Sequence, residues 1–581
     1  MTGALLLSTT PNAAIAAGLN GGTGGGSQLE MPEGGGAGVG GDMEGGSGSG
    51  GSMGAGSVGG ADTMTFDYSG SYTGALAASG EKVASEGESY DATSIDQNAA
   101  LVEDGGTLSL TDAVLTKSGD DTDGDSCNFY GVNSILLAVG EGSLACVTGS
   151  TLSATSEGSN GIFATDSATV YAMGTSISTS ADNSRGLDAT YGGTIVAADM
   201  AIETQGSHCA AVATDRGGGY VSVTGSTFST AGEGSPLLYS TGDVEVSDVT
   251  GVSTGSQIAG MEGTNTILIN ASELTSTVTG ATASDPVANG VIIYQSTSGD
   301  AEASTGDVAT FQVASSTLSS SIQSGAMFYF TNTAADVVLC DSTLDFDSSA
   351  ANLILAAGND SNNWGSAGSN GAEVKVTAIG QELAGTVEAD TISSVDLYLI
   401  DGSKWTGATL VSENAAGSTV DEPLSVSVDE TSAWVVTEDC ELSNLTVADG
   451  GQVCDADGRP VTVVAGGQTV VEGSSGITVT VTGTYSTEYD SSNAGTLATE
   501  LIDRTAFDEA MGTSTAWIMG EGEDADADAD DDGTGSASSS GTETMEDNTE
   551  DDAIAVDPEE STNPVVAFFQ GIIDWFLGLF S

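Results

Sequence analysis

Between about Gly149 and Thr254 one short phrase returns, in which a single large apolar residue stands among small polar ones: GSTLSA, GTSIST, DMAIET, GSTFST and TGVST. Taking that residue as an anchor gives Leu152, Ile177, Ile202, Phe228 and Val252, at spacings of 25, 25, 26 and 24 residues. The phrase extends outward to Leu115 on one side and to Leu274, Leu318 and Leu344 on the other, with steps of 37, 22, 44 and 26. The 37 reads as one repeat with an insertion, and the 44 as two repeats or one long loop. Five and seven residues before the anchors lies a second apolar set: Leu110 and Leu108, Val147 and Ala145, Ala172 and Val170, Ala197 and Ile195, Val223 and Val221, Ile269 and Ile267, Val313 and Phe311, Leu339 and Val337. Only the Val252 repeat slips, by one residue, to Val246 and Val244. Alternation at period two is the strand signal, because successive side chains point to opposite faces. A third apolar patch opens many repeats (GIFAT at 161, AAVAT at 210, LLYST at 237, GVIIY at 290, MFYF at 327). Three strands in about 25 residues, joined by Gly, Ser, Asp and Asn turns, predict one coil of a parallel β-solenoid. The expected fold class is all-β, a right-handed parallel β-helix, that being the usual hand of parallel connections.

The polar positions follow the same period. Two residues before the anchors stand Ser150, Thr175, Ser226, Thr250, Ser272, Ser316 and Ser342, which predicts an inward corner ladder of hydroxyls bonded to each other or to a neighbouring turn. Flanking the anchors, Thr151 and Ser153, Ser176 and Ser178, Thr227 and Ser229, and Thr317 and Ser319 point outward. Ice or crystal binding would need that outward array unbroken, and Ala201, Glu203, Gly251, Glu273 and Asp345 interrupt it.

The pattern also sets the domains. Residues 1–17 carry a short apolar run and an A-x-A-like site without a basic start, and resemble the back half of a secretory signal peptide. Residues 18–62 are a Gly-rich leader too poor in apolar surface to fold. The β-helix is expected over 63–485, about fifteen coils and about 70 Å long at the strand spacing of about 4.8 Å. A C-terminal end block follows over 486–520, then an acidic disordered linker over 521–561 and a short apolar helix over 562–581. That last helix suits attachment to a membrane or envelope partner, or docking on an apolar surface of the same chain.

Composition narrows the partners. Lys and Arg total 8 against 83 Asp and Glu, a net charge of −75, so neither nucleic acid nor an anionic lipid surface is expected as a direct partner. The 83 glycines and 5% aromatics suit slim coils with tight turns better than a thick globular core. Of the six cysteines, Cys127 with Cys146 and Cys440 with Cys454 are close enough in sequence to be candidate disulfides; the alternative is small residues in or near the core.

After about residue 370 the wording changes while strands continue. The segments SSVDLYLIDGSKWTGATL and LSVSVDETSAWVVTEDCELSNLTVADGGQVCDADGRPVTVV share a Ser-x-Trp step, with Trp405 and Trp434 29 residues apart. With TGTYSTEYDSSNAGTLATELIDRTAFDEAMGTST they resemble the terminal coils and end block of adhesin-like right-handed β-helix proteins of bacterial surfaces, within the pectin-lyase-like fold. The resemblance covers residues 90–517 in style and 390–517 in wording. It implies secretion, cell-surface display and adhesion.

The same fold hosts polysaccharide lyases and hydrolases, which need a basic residue beside Ca²⁺-binding acids or a set of clustered carboxylates. The basic residues are Lys82, Lys117, Lys375, Lys404, Arg185, Arg216, Arg459 and Arg504. Arg185 and Arg216, with Asp182, Asp188 and Asp215, are the catalytic candidates, against a turn ion pair as the plain alternative. The lone His208 beside Cys209 falls short of the four ligands of a structural zinc site. Asp121-Thr-Asp123-Gly124, Asp455-Ala-Asp457-Gly458 and the run from Asp528 to Gly533 resemble Ca²⁺ loops, but the twelfth position counted from Asp528 is Ser539 where an EF-hand has Glu. No cofactor is expected beyond this weak case for Ca²⁺, no catalytic or metal residues are assigned, and the binding residues stay undefined. The expected function is non-catalytic binding of glycans or cell surfaces, with a polysaccharide lyase or hydrolase as the alternative. Specificity is expected in the irregular loops 118–130 or 277–308.

Overall fold

The computed structural model describes residues 64–296, 301, 308–361 and 364–521. Segments 1–17 and 18–62, the acidic linker beyond residue 521, the Asp528 loop and the C-terminal helix lie outside the described residues.

The three patches of each repeat form three columns of stacked parallel strands, as the periodicity requires. The first column is a 13-stranded sheet running from Gly74–Ser79 to Thr409–Ser412. The second runs from Lys82–Glu86 to Tyr485–Ser486 and the third from Ser89–Ala92 to Thr343–Asp345; together they form one 23-stranded sheet. They merge because the strands Gly219–Thr230 and Asp243–Ser253 keep their ladder bonds through the corner. Sheet Glu382–Ala384, Lys404–Gly407, Ala433–Val436 and Gln452–Cys454 takes up the third position further along. Inward residues stack on their own kind: Val170 on Ile195 on Val221 on Val244 on Ile267. All are fully buried, each worth about 1.5–3 kcal/mol relative to exposure.

One anchor is corrected. Phe228 pairs with Gly251, and Gly251 with Leu274, so Val252 points outward and is 39% exposed. The one-residue slip in that repeat disappears once Gly251 is the anchor. Two residues before it stands Val249, not Thr250, so Thr250 leaves the corner ladder for the outward row.

The corner ladder itself is built from backbone as well as hydroxyl groups. The amides of Ala113, Ser150, Met200, Val249, Ser272 and Ser316 each donate to the hydroxyl one coil on: Ser150, Thr175, Ser226, Ser272, Ser316 and Ser342. Each of those hydroxyls donates to the carbonyl two residues before it. The corner demands a left-handed residue just ahead of the ladder position, supplied by Gly149, Gly174 and Gly225 before Ser150, Thr175 and Ser226, and by Asp199 and Asp248 before Met200 and Val249. Glycine takes positive φ freely and aspartate at small cost.

Trp405 and Trp434 are register partners, stacked at 4.9 Å and fully buried. Their indole N–H groups donate to Gly385 O and Gly407 O, so neither polar tip is stranded in the core. The last sheet ends in an antiparallel hairpin, Thr462–Ala465 with Gln468–Val471, whose two-residue turn is Gly466-Gly467, both at positive φ.

Two segments lie on the outside of the columns. Phe66 and Tyr72 pack over Leu101, Leu137 and Phe163, the outward row of the first column. At the other end the expected end block turns back along the second column, crossing Thr377, Gln312, Glu245 and Ser222 in turn. Helix Thr505–Met511 then packs Phe507 against Val196 and Ala198, and the chain returns to Leu268 and Ala314 through Met519.

Candidate functional site

The catalytic candidates divide. Asp188 is in the outward row of the first column, between Phe163 and Ala213 of the adjoining coils. Arg185 precedes its strand, and Asp215 and Arg216 follow the strand Val212–Thr214 of the next coil. Helix Gly124–Tyr130, formed by the 118–130 insertion, brings Asn128 and Phe129 to the same place. Arg185 Nη2 meets Asp215 Oδ2 at 2.8 Å, its Nη1 donates to Asn128 Oδ1 at 3.0 Å, and Nη1 lies 3.5 Å from Asp188 Oδ2. The Arg216 guanidinium sits 3.6 Å from the centroid of the Phe129 ring. Asp182 is elsewhere in function: its carboxylate accepts the Ser207 amide at 2.7 Å in a turn.

The two carboxylates of the cluster differ. Asp188 is fully buried, has no hydrogen bond of good geometry, and only the longer contact to Arg185. Burial outweighs that arginine and pushes its carboxyl above the ordinary value. Arg185, despite its own burial, is held above its ordinary value by Asp188 and Asp215. A carboxyl raised by burial beside an ion-paired carboxylate is the electronic arrangement of an acid/base pair. Access is another matter, because Asp188 is 0% exposed and Arg185 is 9% exposed. Beside the cluster, Tyr130 stacks between Tyr68 and Tyr191 at 5.2 and 5.5 Å, with the Phe66 ring edge-on.

The remaining basic residues have structural partners or lie at the surface. Lys117 is buried, its ammonium donates to the carbonyls of Ser94 and Gly119, and burial lowers it to about 8. Lys375 pairs with Asp336 at 2.5 Å, and Lys82 and Lys404 are exposed. Arg504, on the returning tail, is buried against the second column.

The metal candidates resolve into turns. Cys209 accepts the Ser184 amide through its sulfur and donates its own amide to Ser235 Oγ, so it fills a Ser position in a second corner ladder. His208 beside it occupies the left-handed corner position, φ 58°, that Asn183 and Gly234 take in neighbouring coils. In the Asp455 loop the Arg459 guanidinium contacts Asp455 at 2.7 Å and Asp457 at 2.9 Å, putting a fixed cation where Ca²⁺ would sit. The hydrogen bond from Arg459 holds the Asp455 carboxyl down at about 2. In the Asp121 loop, Asp123 accepts from Ser126 Oγ and Asp121 lies 3.5 Å from the Cys127 thiol. Among the described residues, no three His, Cys, Asp or Glu side chains converge as a metal site. All six cysteines are free thiols, so neither candidate disulfide is formed.

Two groups of buried polar residues escaped the sequence reading. Glu262 accepts from Tyr239 at 3.2 Å and from Ser296. Glu245 and Arg504 pin the C-terminal tail to the second column. A signal existed for Glu245, Val196 and Leu268: all three fall at outward positions of the strand alternation, where residues so unlike one another imply a covering segment. The third column is different. Its outward rows, Thr151, Ser176, Ala201, Thr227, Thr250, Glu273, Thr317 in one and Ser153, Ser178, Glu203, Ser229, Val252, Thr275, Ser319 in the other, are exposed or half-buried.

No family model matches the chain, and no curated protein matches it. The class the coordinates define is an all-β protein of stacked parallel strands in long sheets, consistent with a parallel β-helix. No helix of the described residues is long and apolar enough to cross a membrane.

Proposed function

We propose that this chain is a secreted or cell-surface, adhesin-like right-handed β-helix of the pectin-lyase-like type, which binds glycans or cell-surface ligands without catalysis. One observation carries the reading. The outward rows of the first and second columns are largely taken up by the chain's own segments, while the third presents hydroxyls and carboxylates to solvent at a regular strand spacing of about 4.8 Å. Hydroxyls that donate and accept, beside carboxylates that accept, complement the hydroxyls of a neutral glycan. Attachment to a membrane or envelope through 562–581 belongs to the same proposal. A glycan array probed with the full chain tests it: binding that is lost when Thr227, Thr250 and Thr317 are replaced together by bulky Glu supports it, and an empty array defeats the glycan half.

A second reading, polysaccharide lyase or hydrolase, is favoured by the contrast between Asp188, whose carboxyl burial pushes up, and ion-paired Asp215. Reducing-end and unsaturated-product assays over a polysaccharide panel test it. Turnover lost in Asp188→Asn would replace the first reading.

A further inference from the structure

We propose that segment 495–521 is a detachable strap over the second column, and that Glu245 sets its docking, so that the strap closes in acid and lifts in alkali. The strap lies along one straight outward row: Tyr171, Val196, Ser222, Glu245, Leu268, Gln312, Val338 and Thr377 are successive register partners. No ladder hydrogen bond joins it to the sheet. Its attachments are side-chain clasps spaced along the row. Thr377 Oγ1 accepts the Gly495 amide, and Gln312 accepts from Ala498 N while donating to Thr496 O. Asn270 both accepts from Gly520 N and donates to Glu521 O.

The middle clasp is the ionisable one. Both Glu245 carboxylate oxygens accept the Ile502 amide, at 2.9 and 3.0 Å. Two residues on, the Arg504 guanidinium donates to Ser222 O and Oγ, Ala197 O, Thr224 Oγ1 and Thr515 Oγ1. With the strap in place Glu245 is 1% exposed and Arg504 3%. The charged groups acting on Glu245 are Asp243 on its own strand and Arg504 on the strap; Asp508, further along the strap, faces Arg504. Burial first, and Asp243 second, raise the docked Glu245 carboxyl to about 8 from an ordinary value of 4.5. A group raised on docking favours the docked state below its free value and loses that contribution as pH climbs to the docked value. Docking therefore weakens by up to about tenfold per pH unit between those two values. Burial lowers Arg504 to about 10, so its opposing contribution begins only above the window.

Release uncovers the apolar row Val196, Leu268 and Val338, and exposes the Arg504 peptide bond. Trypsin cleavage after Arg504 in the full chain, measured against a free peptide of the same sequence at each pH, reads the open fraction. Acrylamide quenching of Trp517 fluorescence, on the strap, is the second readout. The expected result is a cleavage ratio that rises at least tenfold from pH 6 to pH 8.5, and a Glu245→Gln chain in which the ratio stays low and flat. A wild-type ratio unchanged over that range overturns the proposal, as does a Glu245→Gln chain that keeps the wild-type slope. Because Gln preserves shape, a Glu245→Gln chain cleaved at both pH values also counts against it, provided Trp405 and Trp434 stay shielded.

Discussion

Phe228 stacks on Gly251, not on Val252, and the missing side chain is made good from the first column: a Cβ at 251 would lie 2.8 Å from Leu237 Cδ1 and 3.0 Å from Leu274 Cδ2. Gly251→Val, which restores the repeat to the eye, overpacks that space and is expected to cost about 1–3 kcal/mol. Val252→Thr, on the exposed face, is expected to stay within about 0.5 kcal/mol. Urea midpoints of the two variants check the register, and the opposite order would refute it.

The tryptophan pair makes a stronger demand on its coils. Each ring is fully buried and has its N–H satisfied by a carbonyl of the preceding strand. Trp434→Ala is expected to cost about 3–5 kcal/mol, and Trp434→Phe less, since it keeps the stack and loses the hydrogen bond to Gly407. Thermal unfolding of the two variants separates packing from bonding.

Cys209 stands in for a ladder serine. Cys209→Ser keeps both the amide from Ser184 and the carbonyl contact to Ser207, and is expected to leave stability within about 0.5 kcal/mol. Cys209→Ala strands the Ser184 amide in the core, at about 1–3 kcal/mol. Equal losses in both variants would mean that the sulfur itself is required.

Burial pushes up six carboxyls, those of Asp166, Asp188, Asp243, Glu245, Asp285 and Asp396, with Glu245 reaching about 8 and Asp243 and Asp285 about 6. Each stabilises the fold fully below its ordinary value near 4 and loses that contribution as pH rises through its raised value. Melting temperature is therefore expected to fall between pH 5 and pH 8. Asp188→Asn should flatten that slope, by up to about 1.4 kcal/mol per pH unit over the window. A melting temperature that rises over this range would contradict the assignment.

What the sequence determined by itself is the part of the molecule that repeats. Strand alternation, the 25-residue step and the small corner residues are local consequences of one coil, so Leu152, Ile177 and Ile202, the Ser150 to Ser342 ladder apart from Thr250, and the Trp405–Trp434 step were legible. The register error at Val252 arose because local pattern rewards the nearest large residue, whereas the core is filled by volume, and Leu237 had already supplied it. Tertiary structure alone decided what covers each face. The tail reaches Glu245 across 257 residues of chain, and helix Gly124–Tyr130 reaches Arg185 across 57. Such contacts leave no period to detect, only outward positions that a solvent-exposed face would not select. The upward shift of the Asp188 carboxyl depends on that coverage, because its cause is burial and the same carboxyl in an open row would face water.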